Sequence, residues 1–238
     1  MSAHADRPAN RLLVALSSKD FEALAPDLER RVCPRELILT DADAELDEIY
    51  FPDHGVISAV AVYADGGIIE TATIGREGCT AVQATLGARN SSLRLVVQVP
   101  GYATRMSRRM FDRAMETMPA FRDLMRAYVR AFLEQVLVSV ACNGSHSVRQ
   151  RLARWLLMMR DRSDDDTLRI TQDFLAEMLG VHRPSVTVAA QALEDAGVIR
   201  RGRREVRILD RVGLIRESCE CYQLTKARVA SYLPKTYP

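Results

Sequence analysis

The spacing of apolar positions changes twice along the chain. Between residues 11 and 28 they recur at helical steps: Leu12, Leu13 and Leu16, then Phe21, Leu24 and Leu28. This predicts a short helical start. From about 31 to 107 the pattern becomes short runs rich in Val, Ile and Tyr, at 37–39, 48–51, 56–63, 68–74, 93–99 and 103–106, punctuated by Gly, Asp and Pro. Such runs predict strands. Ala64-Asp65-Gly66-Gly67 joins two of them as a hairpin turn, because glycine accepts positive φ. No helical pattern separates the strands, so a β-sandwich or β-roll is expected and a βαβ sheet is not.

After Ser107 helices dominate. Residues 108–116 predict a short helix, and Pro119 suits the first turn of a longer one reaching about Cys142. That helix carries two apolar stripes. One is Phe121, Leu124, Tyr128, Ala131, Gln135, Val138 and Cys142; the other is Met125, Val129, Phe132, Val136 and Val140. Only a narrow stripe, Asp123, Arg126, Arg130 and Glu134, is charged. A helix apolar on two sides must be covered on two sides. One side can lie on the β-domain. The stripe Phe121, Leu124, Tyr128, Ala131, Gln135, Val138 has heptad-like steps and is the candidate seam against a second copy; the alternative is a helix buried wholly within one monomer. Asn143-Gly144 ends the helix, and 148–160 predicts another, with Leu152, Trp155, Leu156 and Met159 inward. The acidic run 164–166 reads as a solvated loop.

The most specific local pattern is TQDFLAEMLGVHRPSVTVAAQALEDA, residues 171–196. Thr171 is a natural N-cap for a short helix that Gly180 ends. A second helix starts near Arg183-Pro184 and stops at Gly197. Two helices crossing steeply need a small residue where they touch (Ala176), a glycine in the turn (Gly180) and apolar residues facing inward (Leu175, Leu179, Val181, Val186, Ala189). This is a helix-turn-helix pattern. Its outward positions, His182, Arg183, Ser185, Thr187, Val188 and Gln191, are mostly short or hydrogen-bonding, as the start of a helix set in the DNA major groove requires. Thr171 and Gln172, at the start of the first helix, join the candidate DNA contacts. Then Arg200-Arg201-Gly202-Arg203-Arg204 sits between two short β-type runs. It predicts a hairpin wing with a cationic tip that would hold phosphates rather than read bases.

Charge supports that division. The net formal charge is +2, but residues 1–118 sum to −4 and residues 144–238 to +5. A polyanion partner is therefore expected for the second part only. At 238 residues, with 47% hydrophobic and 27% charged side chains, the chain is long enough for one large or two modest globular domains. Its apolar runs are too short to span a bilayer and no signal peptide pattern opens it. The five scattered cysteines argue for a reducing, cytoplasmic setting. No nucleophile elbow, phosphate loop or zinc-protease helix is present, so an enzyme is not expected. The acidic cluster Asp41, Asp43, Glu45, Asp47, Glu48 reads as a solvated rim. Cys33 and Cys79 are too far apart to suggest an iron–sulfur site. Cys219-Glu220-Cys221 is a close pair but too few ligands alone, so no metal site is expected. A haem reading on His4, His54 or His146 has little support.

In the order of its parts the chain resembles the Crp–Fnr superfamily of bacterial transcription regulators over about residues 12–222. The most specific stretches are SVRQRLARWLLMMRDR, the helix-turn-helix with its AGVIRR extension, and VRILDRVGLIRESCECY. The resemblance implies an α+β fold: an N-terminal double-stranded β-helix (β-roll) sensor domain over 1–118, a dimerisation helix over 119–143 and a winged helix-turn-helix over 144–238. It also implies a homodimer on a roughly palindromic promoter site in double-stranded DNA, with RNA polymerase as a candidate further partner and no membrane association. No resident cofactor is implied; a small-molecule or nucleotide effector is the candidate ligand. Gly75, Arg76 and Glu77, with Arg94, occupy the region that corresponds to the family's cyclic-nucleotide pocket. The family's arginine before a serine or threonine is missing ahead of Ser91-Ser92, and the glutamate is displaced, so cyclic AMP binding of the usual kind is not expected. In the recognition helix Arg183 matches the family, whereas Pro184 and Val188 stand where polar readers are usual. A ligand-binding signalling module whose basic domain docks an acidic protein is the competing reading.

Overall fold

A computed structural model describes residues 8–163 and 165–233; His4, and Asp164 of the acidic loop, lie outside them. The chain starts with helices α1 (Arg11–Ala15) and α2 (Ser18–Leu24) and a 3-10 turn at Ala25–Asp27. Strands β1 (Glu29–Cys33), β2 (Ile38–Thr40), β3 (Glu48–Val62) and β4 (Ile68–Ile74), the one-turn helix α3 (Val82–Thr85) and strand β5 (Arg94–Ser107) follow. Then come α4 (Arg108–Thr117), α5 (Pro119–Ser145) and α6 (Val148–Ser163). The C-terminal part holds β6 (Thr167–Leu168), α7 (Gln172–Leu179), α8 (Arg183–Asp195), β7 (Ile199–Arg201), β8 (Val206–Ile208), α9 (Arg211–Glu217) and α10 (Cys221–Tyr232).

Among the described residues the first five strands form one antiparallel sheet in the order β1-β5-β3-β4, with β2 also on β5. This is the expected β-roll. The runs expected as four separate strands are two long bent ones. Strand β3 continues through Asp53-His54-Gly55 and β5 through Pro100-Gly101, and the register between them shifts at that point. Gly55 has φ +95°, and a Cβ on Gly101 would lie 2.0 Å from the His54 carbonyl oxygen. The breakers mark a shared bulge, where both strands bend together, rather than two strand ends.

Helix α5 has 27 residues and is about 40 Å long at 1.5 Å per residue. Here one expectation needs correction. Phe121, Tyr128, Ala131, Gln135 and Val138, expected at a dimer seam, are buried in the chain's own interior, and Leu124 is partly buried there. Phe121 meets Phe111 of α4 edge-to-face at 5.6 Å. The Tyr128 hydroxyl donates to the Cys79 carbonyl at 2.8 Å, and the Gln135 amide donates to the Thr73 carbonyl at 2.9 Å. A stripe with a phenol and an amide needs polar partners once buried, and the β-roll backbone supplies them. Helix α10 packs along the same helix, placing Val229 beside this core. The stripe left open is Leu133, Leu137 and Val140, exposed at 54%, 52% and 67%.

A second core joins α6 to the β-roll and to the C-terminal helices. Leu152, Leu156, Leu157 and Met159 of α6 pack with Val56 and Val60 of β3 and with Leu175, Val186 and Leu193. The Trp155 indole donates across this boundary to Glu70 of β4 at 2.9 Å.

Candidate nucleic-acid interface

Local sequence sets the two crossing helices. Thr171 caps α7 by accepting from the Phe174 amide at 3.2 Å. Gly180 ends the helix in the left-handed region at φ +61°. The backbone N–H of its neighbour Val181 donates to the Ala176 carbonyl at 3.0 Å. Ala176 and Val186 are buried at the crossing, as their size and shape required. Pro184 sits in the first turn of α8, where its missing N–H is least costly.

The outward face of α8 is open. His182, Arg183, Ser185, Thr187, Val188 and Gln191 are all exposed. The Thr187 hydroxyl donates to the Gln172 side-chain oxygen at 2.8 Å. The Gln191 amide donates to Asp195 at 2.7 Å. Arg183 lies 3.2 Å from Asp173, a pair with both members well exposed, so an incoming phosphate or base edge can displace it at little cost.

Strands β7 and β8 pair antiparallel, Arg200 opposite Arg207, and the Gly202 amide closes the turn on the Glu205 carbonyl at 2.8 Å. Strand β6 extends the wing on its other side. Arg200, Arg203 and Arg204 are exposed. Arg201 differs: its guanidinium donates to Glu194 at 2.8 Å and to the Gln191 side chain, and its own amide donates to Glu194. These bonds, backbone first, hold the Glu194 carboxyl below the usual carboxylate range. Arg201 is thus a tether between the wing and α8, and Glu194 was not foreseen. The signal in the sequence was an acid–base pair straddling Gly197. A polar cleft of about 410 Å³ brings Thr171, Gln172, Arg183, Arg201, Arg203 and Arg204 together.

The candidate effector residues are brought together only in part. Gly75 and Glu77 lie under the β-roll, facing α5 and α6, and are closed by Arg162 of α6, which is 1% exposed. The Arg162 guanidinium donates to Glu77 at 2.8 Å, to the Gln135 side-chain oxygen at 2.8 Å and to the Met158 carbonyl at 3.0 Å. A Cβ on Gly75 would lie 2.7 Å from the Arg162 side chain. The remaining cavity, bounded by Thr73, Glu77, Tyr128 and Gln135, is about 10 Å³, room for a water at most. Arg76 reaches the Asp161 carbonyl. Arg94 is elsewhere, pairing with Asp41 at 2.8 Å. Nothing local in the sequence marks Arg162 for this position. A wider cleft of about 500 Å³ lies between the β3–β5 bulge and α6, lined by His54, Gln98, Trp155 and Met159. No helix among the described residues is long and apolar enough to cross a membrane.

A curled antiparallel sheet, a long helix and a winged helix-turn-helix follow one another in this order along the chain. Residues 150–217 match the family model of the Crp-like helix-turn-helix domain, and over most of its length the chain has a fold similar to that of solved Crp–Fnr-type structures. FixK2 from Bradyrhizobium japonicum aligns with TM-score 0.69 at 14% identity, over 81% of this chain and 98% of its own. The c-di-GMP-responsive global regulator CLP of Xanthomonas campestris aligns with TM-score 0.66 at 14% identity, over 81% and 99%. A CRP/FNR-family transcriptional regulator from Thermus thermophilus aligns with TM-score 0.64 at 17% identity, over 84% and 100%. A comparison with curated protein sequences finds no significant match.

Proposed function

We propose that the chain is a transcription regulator that binds double-stranded DNA as a homodimer, reading a roughly palindromic site with α8 and gripping phosphates with the wing. The observation that carries this reading is the exposed face His182, Arg183, Ser185, Thr187, Gln191, continuous with the cationic tip Arg203-Arg204. Arginine can pair with guanine, glutamine with adenine, and the N-terminus of a 13-residue helix favours a phosphate. The contact between copies is assigned to Leu133, Leu137 and Val140, spaced four and three residues apart, as in a helix–helix seam. Two recognition helices would then meet half-sites about 34 Å apart. An effector held in the cyclic AMP manner is not part of this reading, because Arg162 fills the space beside Gly75 and Glu77.

Fluorescence anisotropy with promoter fragments from the protein's own locus tests it. Specific binding should survive a large excess of unrelated duplex and weaken steeply with salt. Retention on an acidic protein at matched salt, with no preference for any duplex, would replace DNA by a protein partner.

A further inference from the structure

Four chemistry-bearing side chains outside the DNA interface meet where α5 ends. Cys142 and His146 lie one turn apart on α5 and its C-cap, and Cys219 and Cys221 flank the α9–α10 corner. One ligand atom from each lies within 4.8 Å of all the others. Cys142 Sγ is 3.5 Å from Cys219 Sγ, and Cys221 Sγ is 3.6 Å from His146 Nδ1. A tetrahedral zinc ion, with Zn–S about 2.3 Å and Zn–N about 2.0–2.1 Å, sets donor-to-donor edges of about 3.5–3.8 Å. We propose that Cys142, His146, Cys219 and Cys221 form a Cys3His site for a thiophilic, tetrahedral divalent cation of the zinc class.

Two further features favour a metal site over ordinary buried thiols. First, His146 turns Nδ1 to the sulfurs and Nε2 to Glu220, 3.3 Å from its carboxylate. A carboxylate behind a ligating imidazole fixes the tautomer and raises ligand basicity. Second, three thiolates, a neutral imidazole and a dication carry one negative charge. Arg151 and Arg154 of α6 are nearly buried, at 8% and 6% exposure, and among the described residues neither makes an ion pair with a carboxylate. An anionic metal centre would give these buried cations a counter-charge. Binding releases the three thiol protons to solvent. The cation would bolt the end of α5 to the α9–α10 corner, across the joint at residues 146–147 between the long helix and the DNA-binding domain. The sequence alone offered only Cys219 and Cys221, because the other half of the site comes from some 75 residues earlier.

The test uses the full chain, purified under reductant and stripped with a chelator, then titrated with Co²⁺ and competed with Zn²⁺. The expected result is one Co²⁺ per chain with thiolate-to-cobalt charge transfer and the strong visible bands of a tetrahedral site, abolished by stoichiometric Zn²⁺. C221S and H146Q should each lose more than a hundredfold in zinc affinity, E220Q should lose roughly tenfold, and C33S should lose nothing. If a cysteine variant fails to fold, the wild-type spectrum and the thermal shift on adding Zn²⁺ still decide. A weak octahedral spectrum, binding unchanged in H146Q and C221S, or a Cys142–Cys219 disulfide that persists under reductant and leaves no metal uptake would overturn the proposal.

Discussion

Arg162 is a guanidinium inside the protein, and its replacement should expose how the β-roll is locked to α6. In Arg162→Met the flexible apolar side chain keeps much of the packing, while the hydrogen bonds to Glu77, Gln135 and Met158 vanish. Glu77 would stay buried without its cation. Breaking a buried ion pair from one side costs about 3–5 kcal/mol, because an unmatched charge remains. Glu77→Leu should also destabilise, because it removes the carboxylate that accepts from the Arg162 guanidinium. Removing both partners removes the stranded charge, so Glu77→Leu/Arg162→Met should cost clearly less than the two single changes together, with a coupling of at least about 2 kcal/mol. Urea unfolding followed by fluorescence of Trp155, the one tryptophan, reports on this junction directly because the indole bridges α6 and β4. The midpoint should fall in each single variant with little change in slope. Single changes that each cost under about 1 kcal/mol, or costs that simply add in the double variant, would refute the lock.

Three further outcomes follow from other parts of the structure. Burial raises the Glu70 carboxyl to about 7, against the opposing hydrogen bonds from Ser58 and Trp155. The folded chain therefore holds that proton more tightly than the unfolded one, and this group's contribution to stability falls as pH rises from about 4.5 to 7 and is flat above. The full shift corresponds to about 3 kcal/mol at 1.36 kcal/mol per unit. Glu70→Gln should flatten that window in pH-dependent urea titrations, and an unchanged slope there would contradict the assignment. Gly101→Ala should lower the melting temperature by about 5 °C or more, since its methyl would press on the His54 carbonyl oxygen; an unaltered melting curve would mean the bulge is not tight. In the proposed homodimer, Leu137→Asp should give monomer in light scattering, whereas Phe121→Leu should leave the oligomeric state alone; the reverse pattern would return the seam to the other face of α5.

Much of this architecture was legible because its signals are local. Gly66 and Gly67 marked the β3–β4 hairpin. Thr171, Ala176, Gly180 and Val186 located both helices of the helix-turn-helix within a single stretch, and the arginines around Gly202 located the wing. Where partners are distant, the pattern misled. The apolar stripe from Phe121 to Val138 is the same whether its cover is another subunit or the chain's own β-roll and α10, and periodicity cannot tell these apart. Gly55, Pro100 and Gly101 look like strand ends because a bulge uses the same residues as a turn. Strand β1 escaped notice because its Glu29-Arg30-Arg31-Val32 run is exposed and charged. The Arg162–Glu77 pair spans 85 residues, and nothing near either residue announces the other.

The salt dependence of duplex binding tests the central assignment most directly. Association constants for one specific fragment should be measured from low to moderate salt for the native chain, for Arg203→Ala/Arg204→Ala and for Arg183→Ala. Each phosphate contact contributes about 0.9 to the slope of log K against log salt, so removing two wing arginines from each of two protomers should make it shallower by about 3.6, with site preference kept. Arg183→Ala should instead narrow the gap between specific and unrelated duplex, at a cost of about 1–3 kcal/mol per half-site. An unchanged slope in the wing variant, together with undiminished site preference in Arg183→Ala, would show that α8 and its wing are not the surface that meets DNA.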